Sequence, residues 1–183
     1  MSKNILVLTG SHRKDGNSDK LADAFINGAK QAGHTVVRFS TADKNIKACI
    51  GCGTCFSRGR ACSVPDDFSE LAPLLEQADM IVFATPVYWF TFPVPLKAAI
   101  EKFYSYFSTK RPLKIRNCAL LACGGSWQEE TKYDGIVKTY QLIAKIMNWQ
   151  DSGIIIVHDL EAKDDILETD GLQKAEALGR SVA

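Results

Sequence analysis

Apolar residues recur along this chain in two alternating periods. Ile5–Leu8, Met80–Ala84, Cys118–Ala122 and Gly153–Val157 are short runs almost free of polar interruption, the pattern of strands buried on both faces. His34–Phe39 alternates instead, as a strand with one wet face does. Between the runs the spacing turns helical. Leu21, Ala24, Phe25, Gly28 and Ala29 share one face of a helix capped by Asn17 or Ser18 and stopped by Gly33. Phe68, Leu71, Leu75 and Ala78 mark a second helix, opened by Asp66 or Asp67; Leu96, Ile100, Phe103 and Phe107 mark a third. Ile136, Tyr140, Ile143 and Met147 line a fourth, and the tail from Asp164 is helical, with Leu172, Ala175 and Leu178 available to pack.

Five strands alternating with five helices, with no internal repeat and no linker, predict one α/β domain over residues 1–183. The expected architecture is a doubly wound five-stranded parallel sheet in the order 2-1-3-4-5 with helices on both faces. Its ligand crevice then lies at the carboxyl ends of strands one and three, where the winding reverses. The loops at that edge are 9–18, 85–95 and 123–130.

Each of these loops carries chemistry. Thr9-Gly-Ser-His-Arg-Lys-Asp-Gly-Asn-Ser18 joins a strand to a helix N-terminus through hydroxyl, amide and cationic side chains, which suits a phosphate. It lacks G-x-x-x-x-G-K-[ST], and no G-x-G-x-x-G follows a strand, so a P-loop or a Rossmann dinucleotide site is unsupported. Thr85–Pro95 is too rich in Pro for a central strand and unusually aromatic for an exposed loop. Gly124 and Gly125 would let backbone approach a flat ring. An anion cradle facing Tyr88, Trp89, Phe90 and Phe92 fits a ligand with a phosphate at one end and a ring system at the other, as in FMN. The plainer alternatives are an ordinary βα turn and an aromatic loop used as core or dimer contact.

Composition narrows the class. With 46% hydrophobic residues, 22 Lys and Arg against 21 Asp and Glu, and a formal charge of +1, the chain has neither a basic face for nucleic acid nor an anchor for a membrane. No secretory leader or spanning segment is evident, so a cytoplasmic protein is expected. In that compartment six cysteines, four of them in one short segment, point to metal or redox chemistry more than to disulfides.

The segments Gly10–Ser18, Ile46–Cys55, Val64–Asp67 and Thr85–Tyr88, with Pro95–Lys97, resemble the flavodoxin-like NAD(P)H-dependent FMN reductases, including the iron-sulfur flavoproteins. His12 stands where that family usually has Pro. The resemblance implies that Ser11, Arg13, Asn17 and Ser18 bind the FMN phosphate. Pro86, Val87, Tyr88, Trp89 and Phe90 would embrace the ribityl chain and ring, approached from the third loop by Cys123, Gly124 and Gly125. It further implies hydride transfer from NAD(P)H to the flavin, electron delivery to a quinone, another flavin, a cluster or a redox protein, and a homodimer to which the aromatic loop, Tyr104 and Tyr106 lend surface. No side chain is assigned a catalytic role, because the cofactor carries the chemistry.

Cys49-x-x-Cys52-x-x-Cys55, followed by Cys62, sits in a loop at about residues 46–65. By the resemblance these four would ligate a [4Fe–4S] cluster; free or redox-active thiols and a zinc site are the alternatives. Cys118 reads as an inert core residue, and His12, His34 and His158 share no ligand spacing, with His34 expected at the surface. Glu129 and Glu130 read as the rim of the third loop. Two other functions stay open: an electron-transfer protein using FMN and a cluster, and a redox-sensing module. The near-neutral charge and the lack of a T-x-T-G-x-T loop set the chain apart from flavodoxins proper.

Overall fold

The computed structural model describes residues 1–126 and 131–183. Five strands form one parallel sheet: β1 (Asn4–Thr9), β2 (Thr35–Ser40), β3 (Met80–Pro86), β4 (Asn117–Cys123) and β5 (Gln150–Val157), in the order β2-β1-β3-β4-β5. This is the predicted doubly wound order. Side chains of each central strand alternate between two cores, as the pleat requires. Ile5, Val7, Met80, Val82, Ala119 and Leu121 face α1 (Asn17–Gln31) and α6 (Gly171–Arg180), which a 3₁₀ turn over Asp165–Glu168 precedes. Leu6, Leu8, Ile81, Phe83, Cys118 and Leu120 face α2 (Phe68–Gln77), α3 (Val94–Glu101), α4 (Tyr104–Ser108) and α5 (Asp134–Met147). Burial of a Leu, Ile or Phe from either set stabilises the fold by about 1.5–3 kcal/mol.

Several boundaries differ from the sequence reading, each for a local reason. Gly16 caps α1, because the Asn17 amide is used elsewhere: it donates to the Ala162 carbonyl (2.9 Å) and accepts from the Asp164 N–H (3.0 Å). Ser18 falls within the first turn and is buried. The predicted third helix is two, α3 and α4. Between them Lys102, Phe103, Ser105 and Tyr106 donate to carbonyls three residues back, tightening the helix there and shifting the phase of its last turn. Phe107 therefore points to solvent at 50% exposure, and Tyr106 takes the buried place, its hydroxyl donating to Glu76 (2.9 Å). Tyr106 thus offers no surface for a dimer, whereas Tyr104 is exposed. His34 is half-buried, contrary to expectation: Nδ1 accepts the Lys3 N–H (3.2 Å) and Nε2 lies 2.9 Å from the Val182 carbonyl. β5 begins three residues early and slips register against β4 between Cys118 and Leu120. Among the described residues no helix is long and apolar enough to cross a membrane. Glu129 and Glu130 lie outside the described residues.

Candidate cofactor site

Parallel strands deliver their following loops to one edge of the sheet, and here the loops after β1, β3 and β4 meet. The loop after β1 folds back on itself, with Ser11 Oγ accepting the Arg13 N–H (3.0 Å) and the Gly16 N–H reaching the Arg13 carbonyl (3.3 Å). Gly16 makes no side-chain cap, so the first-turn N–H groups of α1 are not claimed by one. Among the described residues the exposed Arg13 guanidinium has no carboxylate partner. Beside this turn the Val87 N–H donates to the Cys123 carbonyl (2.8 Å), which stitches the second loop to the third.

Two adjoining cavities result. One, of about 260 Å³, is lined by Ser11, Arg13, Asn17 and Ser18 on one side and by Pro86, Val87, Tyr88, Cys123, Gly124 and Gly125 on the other. A smaller one shares Val87, Gly124 and Gly125 and adds Trp89 and Phe90. All twelve residues assigned to cofactor binding from the sequence thus line one or both cavities. Phe92 does not: it is buried in the core with its ring 5.8 Å from that of Phe83.

The aromatic loop is a two-residue reversal. Tyr88 and Thr91 exchange backbone hydrogen bonds (3.0 and 3.1 Å), and Trp89 and Phe90 between them take φ of 47° and 68°. Left-handed backbone at both central positions is the geometry of a type I′ turn, which favours Asn-Gly; two adjacent aromatic residues hold it only under strain. Trp89 is 82% exposed at its tip.

Residues that sequence reasoning missed also line the site. Gly16 and Leu160 border the larger cavity, as does Glu161, whose Oε1 accepts from both the hydroxyl and the N–H of Ser126. These bonds hold the Glu161 carboxyl below its ordinary range. Lys132 and Tyr133 border the smaller cavity. The Tyr133 hydroxyl is buried without a hydrogen-bond partner, and burial, aided by Cys123 and Asp159, pushes it up to about 12. No spacing flagged Leu160 or Glu161, because they follow β5, a strand the switch-point argument does not use. Burial, with Asp19 adding to it, pushes the Cys123 thiol up to about 12, so it stays protonated and packs as an apolar group.

FMN fits this donor set: unclaimed helix N–H groups and a cation at one end, glycine backbone and aromatic edges at the other. The cysteine loop is a different matter. Cys49 and Cys52 are exposed, and Cys55 and Cys62 are half-buried. The Cys52 sulfur lies 3.1 Å from the Thr54 hydroxyl and 3.9 Å from that of Ser63; these and the Thr54 backbone hold its thiol below the ordinary value. Among the described residues no three His, Cys, Asp or Glu side chains gather as a metal would need. As placed, the four thiols do not fit a cluster.

Known proteins resemble this chain in sequence and in fold. A family model described as NADPH-dependent FMN reductase matches residues 3–136. An iron-sulfur flavoprotein of Archaeoglobus fulgidus is 35% identical over 99 residues, which is 54% of this chain and 44% of that protein. One of Methanosarcina thermophila is 30% identical over 155 residues, covering 85% of this chain and 77% of its own. The match therefore spans less than half the length of the Archaeoglobus protein. An NAD(P)H:quinone oxidoreductase from Methanothermobacter marburgensis is similar in fold, with a TM-score of 0.74, 20% identity, and coverage of 98% of this chain and 96% of that one.

Proposed function

Because the chain belongs to the NADPH-dependent FMN reductase family, we propose that it is an FMN-dependent oxidoreductase that takes reducing equivalents from NAD(P)H and passes them to a small-molecule acceptor such as a quinone or a flavin. The observation that carries this reading is the convergence of Ser11, Arg13, Asn17 and Ser18 with Pro86–Tyr88 and Cys123–Gly125 around one cavity.

FMN, when bound, supplies the hydride and electron chemistry. The chain holds and shields it. Arg13 and the first turn of α1 would neutralise the phosphate; Ser11 and Ser18 offer hydroxyls, while Asn17 contributes chiefly its backbone N–H, its amide being engaged by Ala162 and Asp164. Gly124 and Gly125 bring backbone to the ring edge, where the Gly125 N–H would stabilise negative charge developing on reduction, that of Gly124 being held by the Val157 carbonyl (3.2 Å). Tyr88, Trp89 and Phe90 cover the open side and exclude water. The reading includes a homodimer, for which exposed Tyr104, Phe107, Leu142 and Ile146 supply apolar surface, and sedimentation velocity tests it.

A second reading is favoured by the names of the two relatives: a [4Fe–4S] cluster on Cys49, Cys52, Cys55 and Cys62. It requires the loop to rearrange from the placement found here. Both readings meet one experiment, an absorption spectrum and iron assay on protein purified without oxygen, before and after NADPH. Flavin bands bleached by NADPH with no iron support the reductase. About four irons per chain support the cluster. Arg13→Ala and Ser18→Ala should each weaken FMN binding about tenfold; unchanged flavin retention in both would remove the phosphate assignment.

A further inference from the structure

A cavity larger than either of the two at the cofactor edge lies away from them. It encloses about 610 Å³ between the cysteine loop, α2 and the segment 111–114, and it shares no lining residue with the two cavities above. That volume is in the range of small-molecule sites.

Its polar groups are out of balance. Arg60 donates from Nη2 to the Ser63 carbonyl (2.8 Å), but its Nε is buried with no hydrogen-bond partner. A buried charged donor left unmatched is costly unless something completes it. Arg111 lies with its guanidinium carbon 4.5 Å from the centre of the Phe56 ring, and among the described residues it has no carboxylate partner. Lys114 is paired with Asp79 (3.2 Å), and Glu76, the acid on the wall, already accepts from Tyr106. The cavity is thus lined by two guanidinium groups that have no carboxylate partner among the described residues.

Its apolar groups form flat walls. Phe56 has φ of 58°, a left-handed conformation unfavourable for a bulky residue, and its ring meets that of Tyr106 edge-on at 5.5 Å. The strained backbone places an aromatic face beneath Arg111 and beside Cys62.

We propose that this cavity binds a small planar organic anion, with its carboxylate or similar group on Arg60 and Arg111 and its flat apolar body against Phe56 and Tyr106. A guanidinium matches a carboxylate in two parallel hydrogen bonds, a geometry that arginine offers and lysine does not. Aromatic faces receive a flat body in offset or edge-on geometry. Such a site is independent of flavin binding.

The test is calorimetric titration of 2-naphthoate into the protein as purified, with methyl 2-naphthoate and inorganic phosphate as companion probes. One site for 2-naphthoate is expected, weakened roughly tenfold or more by Arg111→Gln and by Arg60→Gln, and similarly weak for the uncharged ester. Added FMN should leave the affinity unchanged. Both substitutions are of side chains outside the two cores, and a circular dichroism spectrum matching the parent confirms each variant's fold. No binding at millimolar naphthoate, equal binding by both variants, or displacement by FMN would each overturn the proposal. Binding of phosphate without naphthoate would overturn it too, by showing an anion site with no role for the aromatic walls.

Discussion

The reversal at Trp89 and Phe90 borders the candidate site, and one glycine fixes where it lies. A methyl group at Gly135, in the first turn of α5, would stand 2.5 Å from the Phe90 carbonyl oxygen. A relaxed carbon–oxygen contact is about 3.3 Å, so Gly135→Ala forces a retreat of roughly 0.8 Å. The helix resists moving, because Ile136 and Tyr140 are fully buried next to it. The turn gives way instead, as a unit, since Tyr88 and Thr91 are bonded to each other across it. Overpacking costs about 1–3 kcal/mol, and the gain in helix propensity of Ala over Gly returns about 1 kcal/mol, for a net loss of about 0–2 kcal/mol. In a chain of this size, that lowers Tm by no more than about 8 °C. Flavin binding should suffer more, by about tenfold, because Trp89 and Phe90 line the smaller cavity and a displacement of this size spoils a fitted contact. Thermal melts of FMN-free protein and quenching of FMN fluorescence on titration separate the two effects. A raised Tm with unchanged FMN affinity would refute the reasoning, since it would mean that the turn neither resists α5 nor bounds the ligand.

Other consequences concern the cysteine loop and the base of the sheet. Lys102 and Asp66 form an ion pair with side chains 1% and 0% exposed, and Asp66 also accepts the N–H groups of Lys47 (2.9 Å) and Phe68 (3.1 Å). Lys102→Met strands that carboxylate and should cost about 3–5 kcal/mol in urea denaturation, much of it restored by adding Asp66→Asn; a neutral single variant would contradict the pairing. Asp79 is held below the ordinary carboxyl range first by the Asn4 N–H (2.8 Å), with Lys114 adding and burial opposing. Its contribution is complete above the ordinary value of 3.8 and is lost as pH falls through the lowered folded value. Asp79→Asn should therefore destabilise the protein by about 1 kcal/mol or less at pH 7, with the gap closing below pH 3.8; a gap that widened on acidification would reverse the assignment. In alkylation of the native protein at pH 8, Cys49 and Cys52 should react first, Cys55 and Cys62 more slowly, and Cys118 and Cys123 least, their thiols being buried and pushed up to about 11 and about 12. Protection of all four loop thiols, released by a chelator, would favour the cluster.

The sheet order was legible because four apolar runs name strands covered on both faces, and a five-stranded parallel sheet with one switch point brings particular loops together. That is why residues as distant as Ser11 and Gly125 could be placed in one site from the chain alone. What escaped reading was long-range pairing. Asn17 looks like a cap, yet its amide partners lie at Ala162 and Asp164, 145 and 147 residues away. Phe107 keeps helical spacing with Phe103, but a local change to i→i+3 bonding rotates it outward, and such a change leaves no trace in periodicity. Lys102 carries no sign in the sequence that it is buried.

These unread contacts bear directly on the cysteine loop. Its base is closed: Asp67 accepts the Asn45 N–H (2.7 Å), Asp66 that of Lys47, and Glu101 that of Cys49 (3.2 Å). Cys49 is thus tied to α3, whereas the stretch beyond it runs through Gly51, Gly53 and Gly59, all at positive φ. Glycine at such positions removes the steric barrier that would otherwise fix the backbone. Any regrouping of the four thiols must therefore come from Cys52 and Cys55 moving toward an anchored Cys49, with Cys62 held beside the Arg60 and Phe56 wall. Filling that cavity would stiffen this wall, so the occupant of the large cavity and the arrangement of the thiols share Phe56 and Cys62, which line neither cavity at the cofactor edge.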